Sequence, residues 1–106
     1  MNNKSIILLT TSLSFTLHAG DFGDPELGKL KSPSCVFCHN PTNPTANNSY
    51  PNLSGQDPTY LFNTMKAYQN GDRQGDYAEM MQAQLSKLND QDLKDIAAFY
   101  SSLANK

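Results

Sequence analysis

The sequence predicts an all-α domain whose helices are joined by long polar loops. Three observations predict it. Two segments, 57–71 and 89–103, combine helix caps with apolar residues at helical spacing. No segment alternates polar and apolar residues cleanly enough for a strand. No internal repeat divides the 106 residues, a length that suits one compact domain and not two.

The first twenty residues differ from the rest. Met1 to Lys4 is short and carries one positive charge. Ile6 to Leu17 is mostly apolar, interrupted by Ser12, Ser14 and Thr16. Leu17-His18-Ala19-Gly20 then places small residues where a signal peptidase cuts. These are the parts of a secretory signal peptide, with the cut expected after Ala19. The alternative, an uncleaved anchor, fits poorly with so short and polar-broken a stretch. The remaining domain, 20–106, has 87 residues, 7 basic and 10 acidic, and so a charge of −3. His18 leaves with the leader, so His39 is the one histidine in the mature chain. Export also places the two thiols outside the reducing cytoplasm.

The elements follow in order. Pro25 to Lys31 is a short helix, capped by Asp24 and ended by Pro33. Residues 40–48 (NPTNPTANN) have no apolar period and read as a loop. Asp57-Pro58 opens the next helix. Leu61, Met65 and Tyr68 share its inner face, and Asn70-Gly71 closes it. Residues 71–77 (GDRQGDY) form a second loop, and a short helix follows near Met80 to Ser86. Asn89 caps the last helix, with Asp90 and Asp92 in its positive first turn. Its stripe is Leu93, Ile96, Ala97, Tyr100 and Leu103.

Composition limits what such a domain can be. Hydrophobic residues are 38% and aromatics 9%, with no Trp, so the core is thin for the length of loop it must hold. The formal net charge of −2 argues against a nucleic-acid partner, which requires a basic stripe.

The chemistry lies in Cys35-Val36-Phe37-Cys38-His39. C-x-x-C-H is the attachment pattern of covalent haem. On a helical turn, positions i, i+3 and i+4 share a face. Two thiols can then form thioethers with two vinyl groups while the next imidazole reaches the iron. A zinc site would need a fourth ligand, and the mature chain has no further Cys or His. A thioredoxin-type pair needs a βαβ setting, and a plain disulfide leaves His39 unexplained. A sixth iron ligand would have to be a thioether, which suits haem iron. The candidates are Met65, Met80 and Met81. Met65 falls on the packing face of its helix, and spacing does not choose between Met80 and Met81.

These stretches resemble the class I c-type cytochromes, specifically the short bacterial periplasmic monohaem kind. They are also similar to one half of the two-haem bacterial carriers. The resemblance rests on CVFCH, on YPNLSGQDPTYL from Tyr50, on GDR at Gly71 and on MMQAQLSKLNDQDLKDIAAFYSSL from Met80. It implies a small cytochrome c fold wrapped around one covalently attached haem c. Cys35 and Cys38 would carry the haem, with His39 and Met81 as axial ligands and Met80 as fallback. It also implies that the Pro51 carbonyl accepts from the His39 ring, that Leu53 packs on the haem, and that Gln56 and Arg73 lie near the propionates. Tyr50 and Tyr60 are similar cases. Gly28 matches a family glycine that lets Phe99 or Tyr100 approach.

The implied function is single-electron transport in the periplasm, without enzymatic turnover. The partners would be redox proteins, either a membrane complex or a periplasmic reductase or oxidase, with no stable membrane insertion. Two alternatives are a haem protein with a labile sixth site, such as a sensor or peroxidase-like enzyme, and an electron-transfer subunit bound to one enzyme. No distal His or Arg pair is placed by the sequence to activate peroxide, which counts against the first alternative.

Overall fold

A computed structural model describes residues 2, 5–13, 22–43 and 49–104. The expected cut after Ala19 lies outside the described residues. Five helices are present: α1 (Pro25–Leu30), α2 (Pro33–Cys38), α3 (Pro58–Gln69), α4 (Ala78–Leu85) and α5 (Asp90–Ser102). Among the described residues there is no strand. None of their helices is long and apolar enough to cross a membrane.

Local chemistry accounts for each boundary. The Asp24 carboxylate accepts from the Glu26 and Leu27 amides at the start of α1. Pro33 does more than end that helix. It occupies the first position of α2, where its missing N–H costs nothing and its fixed φ suits the turn. Asp57 accepts from the Tyr60 amide to start α3, and Gly71 beyond its end takes φ 75°. α4 starts at Ala78, so Met80 and Met81 stand on its first turn and not in the preceding loop. Asn89 and Asp92 form a reciprocal capping box on α5.

The buried apolar core is Leu61, Leu85, Leu93, Ile96, Ala97, Phe99 and Tyr100, five of them on α5. α1 crosses α5 at backbone contact. A Cβ on Gly28 would run into the Asp95 carbonyl and fall 2.8 Å from the Phe99 Cβ. Phe99, not Tyr100, is therefore the ring that Gly28 admits. Gly23 meets the Lys94 carbonyl in the same way. Ser32, fully buried between α1 and α2, donates its hydroxyl to the Gly28 carbonyl at 2.5 Å.

A buried carboxylate locks this crossing. Asp95 is 1% exposed, and it accepts from the Asp24 amide at 2.9 Å, Lys31 Nζ at 2.6 Å and Gln91 Nε2 at 2.9 Å. Lys31 also pairs with Asp92 at 2.9 Å. Burial pushes the Asp95 carboxyl up, but the Asp24 amide, Lys31 and Gln91 outweigh it and hold it below the ordinary value. Asp92 is held low by Lys31 and the Asn89 amide, and Lys31 is raised by Asp95 and Asp92. A depressed carboxylate stabilises the fold above its unfolded pKa. That stability is lost as pH falls through the folded value, below about pH 4. Lys31 contributes in the opposite sense, fully below its unfolded pKa and less as pH rises through its raised one. Lys31→Met removes the cation that favours ionised Asp95. Its acid unfolding midpoint, followed by circular dichroism, is expected at higher pH than wild type. An unmoved midpoint would show that Lys31 does not stabilise the buried carboxylate.

Candidate functional site

The sequence motif opens onto a cavity of about 700 Å³. Cys35, Cys38 and His39 line it from α2 and its C-cap, and Met81 and Met80 from α4. Leu61, Met65, Leu85, Ile96, Ala97 and Tyr100 supply apolar lining from α3, α4 and α5. The helical turn Cys35–Cys38 puts both thiols on one wall. They are free, and Cys35 is half-buried. Burial pushes the Cys35 thiol up, against the opposing pull of Ser34 and Ser32.

The imidazole is oriented from behind. His39 Nδ1 lies 2.8 Å from the Pro51 carbonyl oxygen. A carbonyl only accepts, so this bond requires the proton on Nδ1 and leaves the Nε2 lone pair for a metal. The His39 amide donates to the Cys35 carbonyl at 2.7 Å, closing the turn. The His39 carbonyl accepts from the Tyr100 hydroxyl at 2.9 Å. Tyr50 meets the His39 ring edge-on at 6.2 Å and the Tyr77 ring at a tilt at 5.5 Å, covering that side with aromatic surface.

The remaining residues singled out in the sequence divide by what they touch. Leu53 is half-buried, packs on the core and lines the cavity. Gln56 lines it too, but its amide donates to the Asn52 carbonyl at 2.6 Å. Arg73 lies over the Tyr68 ring at 5.0 Å, on the cavity wall. Met65 is partly buried against the core cluster and faces the same space. Met80 is exposed, whereas Met81 is half-buried.

Two functional contributions escaped sequence reasoning. Gln69 at the end of α3 donates to the Leu85 and Leu88 carbonyls at 2.8 and 2.9 Å, while Gln82 reaches back to the Gln69 carbonyl at 3.3 Å. This bracket holds the methionine-bearing α4 against α3. In the sequence Tyr100 is one more residue of the α5 stripe, and its hydroxyl bond to residue 39 spans 61 positions. No local pattern signals either contact.

An all-α domain with a C-x-x-C-H turn on the wall of an apolar cavity is built to hold a flat, covalently tethered macrocycle. The fit is good. The cavity lies within the roughly 300–1,000 Å³ of sizeable organic-ligand pockets, with soft sulfur and imidazole donors on its walls. Among the described residues, no group of three or more His, Cys, Asp or Glu side chains could hold a metal ion by itself.

Comparison with known proteins agrees. The cytochrome c family profile matches residues 28–104. The chain is 44% identical over 80 residues to cytochrome c-554(548) of Halomonas halodenitrificans, covering 76% of this chain and 96% of that protein. It is 32% identical over 106 residues to cytochrome c4 of Azotobacter vinelandii, covering 94% of this chain and 50% of that protein. Cytochrome c4 of Pseudomonas aeruginosa is 34% identical over 100 residues, covering 94% of this chain and 48% of its own. The chain thus spans about half the length of the cytochromes c4. The chain belongs to the cytochrome c family, and its cofactor is one covalently bound haem c. The family are electron carriers, which is the general function of this chain.

Proposed function

We propose that the mature chain is a periplasmic monohaem carrier in which Cys35 and Cys38 tether the haem and His39 and Met81 ligate its iron. When bound, haem c supplies a one-electron ferric–ferrous couple. The observation that carries the reading is the convergence of Cys35, Cys38, His39 and Met81 on one apolar cavity, with His39 Nδ1 2.8 Å from the Pro51 carbonyl.

Each residue then has a physical task. Pro51 fixes the imidazole plane and raises its basicity. The Gln69 bracket holds α4, and through it Met81, against the cavity. The apolar lining excludes water and penalises the extra positive charge of the oxidised state, which raises the reduction potential. With His39 and Met81 both engaged, no coordination position is left for dioxygen or peroxide, so the chain exchanges electrons without turning over a substrate. Export by the first 19 residues places this exchange in the periplasm. Redox proteins there, or membrane complexes facing it, are the partners, in small and transient contacts.

A second reading has one supporting observation. The chain is 28% identical over 74 residues to the thiosulfate dehydrogenase electron acceptor of Stutzerimonas stutzeri, covering 70% of this chain and 34% of that protein. A dedicated acceptor for one dehydrogenase would show stable co-purification with that enzyme, and a diffusible carrier would not.

The ligand assignment is tested by absorption spectroscopy of the oxidised holoprotein. Wild type is expected to show the weak far-red band of sulfur-to-iron charge transfer. Met81→Ala should abolish it and open the iron to carbon monoxide on reduction, while Met80→Ala keeps it. Loss of the band in Met80→Ala alone would move the ligand to residue 80. Its absence in wild type, with ready carbon monoxide uptake, would favour a labile sixth site over the carrier.

A further inference from the structure

Tyr100 holds both sides of the hydrogen bond that orients His39. Its hydroxyl donates to the His39 carbonyl at 2.9 Å. Its own carbonyl accepts from the Gly55 amide at 2.9 Å, and Gly55 stands four residues after Pro51 on the same loop. The imidazole and the carbonyl it meets thus stand near the two ends of the α2–α3 connection, and one residue of α5 ties each end. Tyr100 is 1% exposed and stands on the most deeply buried helix of the domain. α5 in turn is fixed by the Asp95 lock and by backbone contact with α1. The two ends of this connection inherit their spacing from a rigid element.

We infer that Tyr100 is a positioning residue for the haem iron, setting through its hydroxyl the geometry of the His39–Pro51 hydrogen bond. The inference rests on the reading of His39 as axial ligand. The physical consequence has a sign. A short bond from Nδ1–H to a carbonyl gives the ring partial imidazolate character, which favours ferric iron. Losing the hydroxyl frees the His39 carbonyl to drift, lengthens the bond and weakens that donation. The reduction potential therefore rises.

The test compares Tyr100→Phe with wild type as purified holoproteins. The Phe ring keeps the apolar packing and removes only the donor. At a fixed poise near the midpoint, the ferrous-to-ferric ratio of Tyr100→Phe is expected to rise about two- to tenfold, the range of one net hydrogen bond. The paramagnetically shifted ring signals of His39 in the ferric nuclear magnetic resonance spectrum should move with it. Leu93→Val serves as comparison. Leu93 is fully buried on the same helix and does not line the cavity, so its truncation destabilises α5 without touching the His39–Pro51 bond or its ties to Tyr100. It should lower thermal stability and leave the ratio and the shifts as in wild type. If Tyr100→Phe changes neither the ratio nor the shifts, or if Leu93→Val changes them equally, the inference is overturned. If wild type shows no paramagnetically shifted His39 ring at all, the axial assignment itself fails, and that outcome is read before any variant is made.

Discussion

A Cys35→Ala/Cys38→Ala variant, expressed in a host that matures such proteins, is expected to emerge colourless and without fixed tertiary structure. The reason is the size of the space that the haem fills relative to the core around it. Seven apolar residues are buried among the described residues, and five of them (Leu61, Leu85, Ile96, Ala97 and Tyr100) line a cavity of about 700 Å³. At about 24 cal/mol per Å³, a dry void of that volume would cost about 17 kcal/mol, more than the 5–15 kcal/mol that holds a typical domain together. The cavity opens to solvent, so water enters and the true cost is lower. Leu53, Met65 and Met81, half-buried on its wall, then face water from one side, and burial of that apolar surface is what the fold relies on. α2 has no buried residue of its own. Without a haem tether, α2 is held by Ser32, by the partial packing of Val36 and by the bonds of His39 to Pro51 and Tyr100. The measurement is absorbance at the haem bands with near-ultraviolet circular dichroism. A colourless product that still unfolds cooperatively would show that side chains alone specify the fold.

The fold was legible in the sequence where local chemistry decides it. Asp24, Asp57 and Asn89 announce helix starts because their side chains satisfy free amides one turn on. The α5 stripe is legible because a 3.6-residue period needs no knowledge of the partner surface. The candidate site was legible for the same reason, since C-x-x-C-H is a local spacing and the structure sets its Cys35, Cys38 and His39 on one cavity. Pro33 was read only as a stop, although the same residue chemistry suits a start, and the choice depends on whether Ser32 can be buried against Gly28. Contacts that join distant segments were not legible. Nothing around Asp95 tells that a carboxylate on the inner face of α5 meets Lys31 and the Asp24 amide. An acid at that position reads as a solvated charge until α1 is laid across it. The bracket from Gln69 to α4 and the hydroxyl of Tyr100 are hidden in the same way, because each depends on the fold that it helps to fix.

Gly28→Ala is expected to destabilise the fold strongly, although it adds only one methyl group. Two effects oppose each other. In a helix interior, Ala is favoured over Gly by about 1 kcal/mol. Against this, the new Cβ runs into the Asp95 carbonyl and comes within 2.8 Å of the Phe99 Cβ. The first obstacle is backbone within α5 and cannot swing aside as a long side chain would. The helices must separate instead, and separation also reaches the Asp95 lock. Asp24 just before α1 and Lys31 just after it both bind that carboxylate, so both bonds stretch together. The clash therefore wins, with a net loss of about 3 kcal/mol, the upper end of ordinary overpacking. For a domain of this size that lowers the thermal midpoint by about 12–24 °C. Leu30→Ala on the same helix provides the scale. Leu30 is 75% exposed, and its truncation should stay within about 0.5 kcal/mol of wild type. Thermal unfolding of the two holoproteins, followed by circular dichroism, separates the cases. A Gly28→Ala midpoint within a few degrees of Leu30→Ala would mean that α1 and α5 do not meet at backbone distance. The Asp95 lock would then have to hold across a wider gap than its 2.6 Å contact with Lys31 allows.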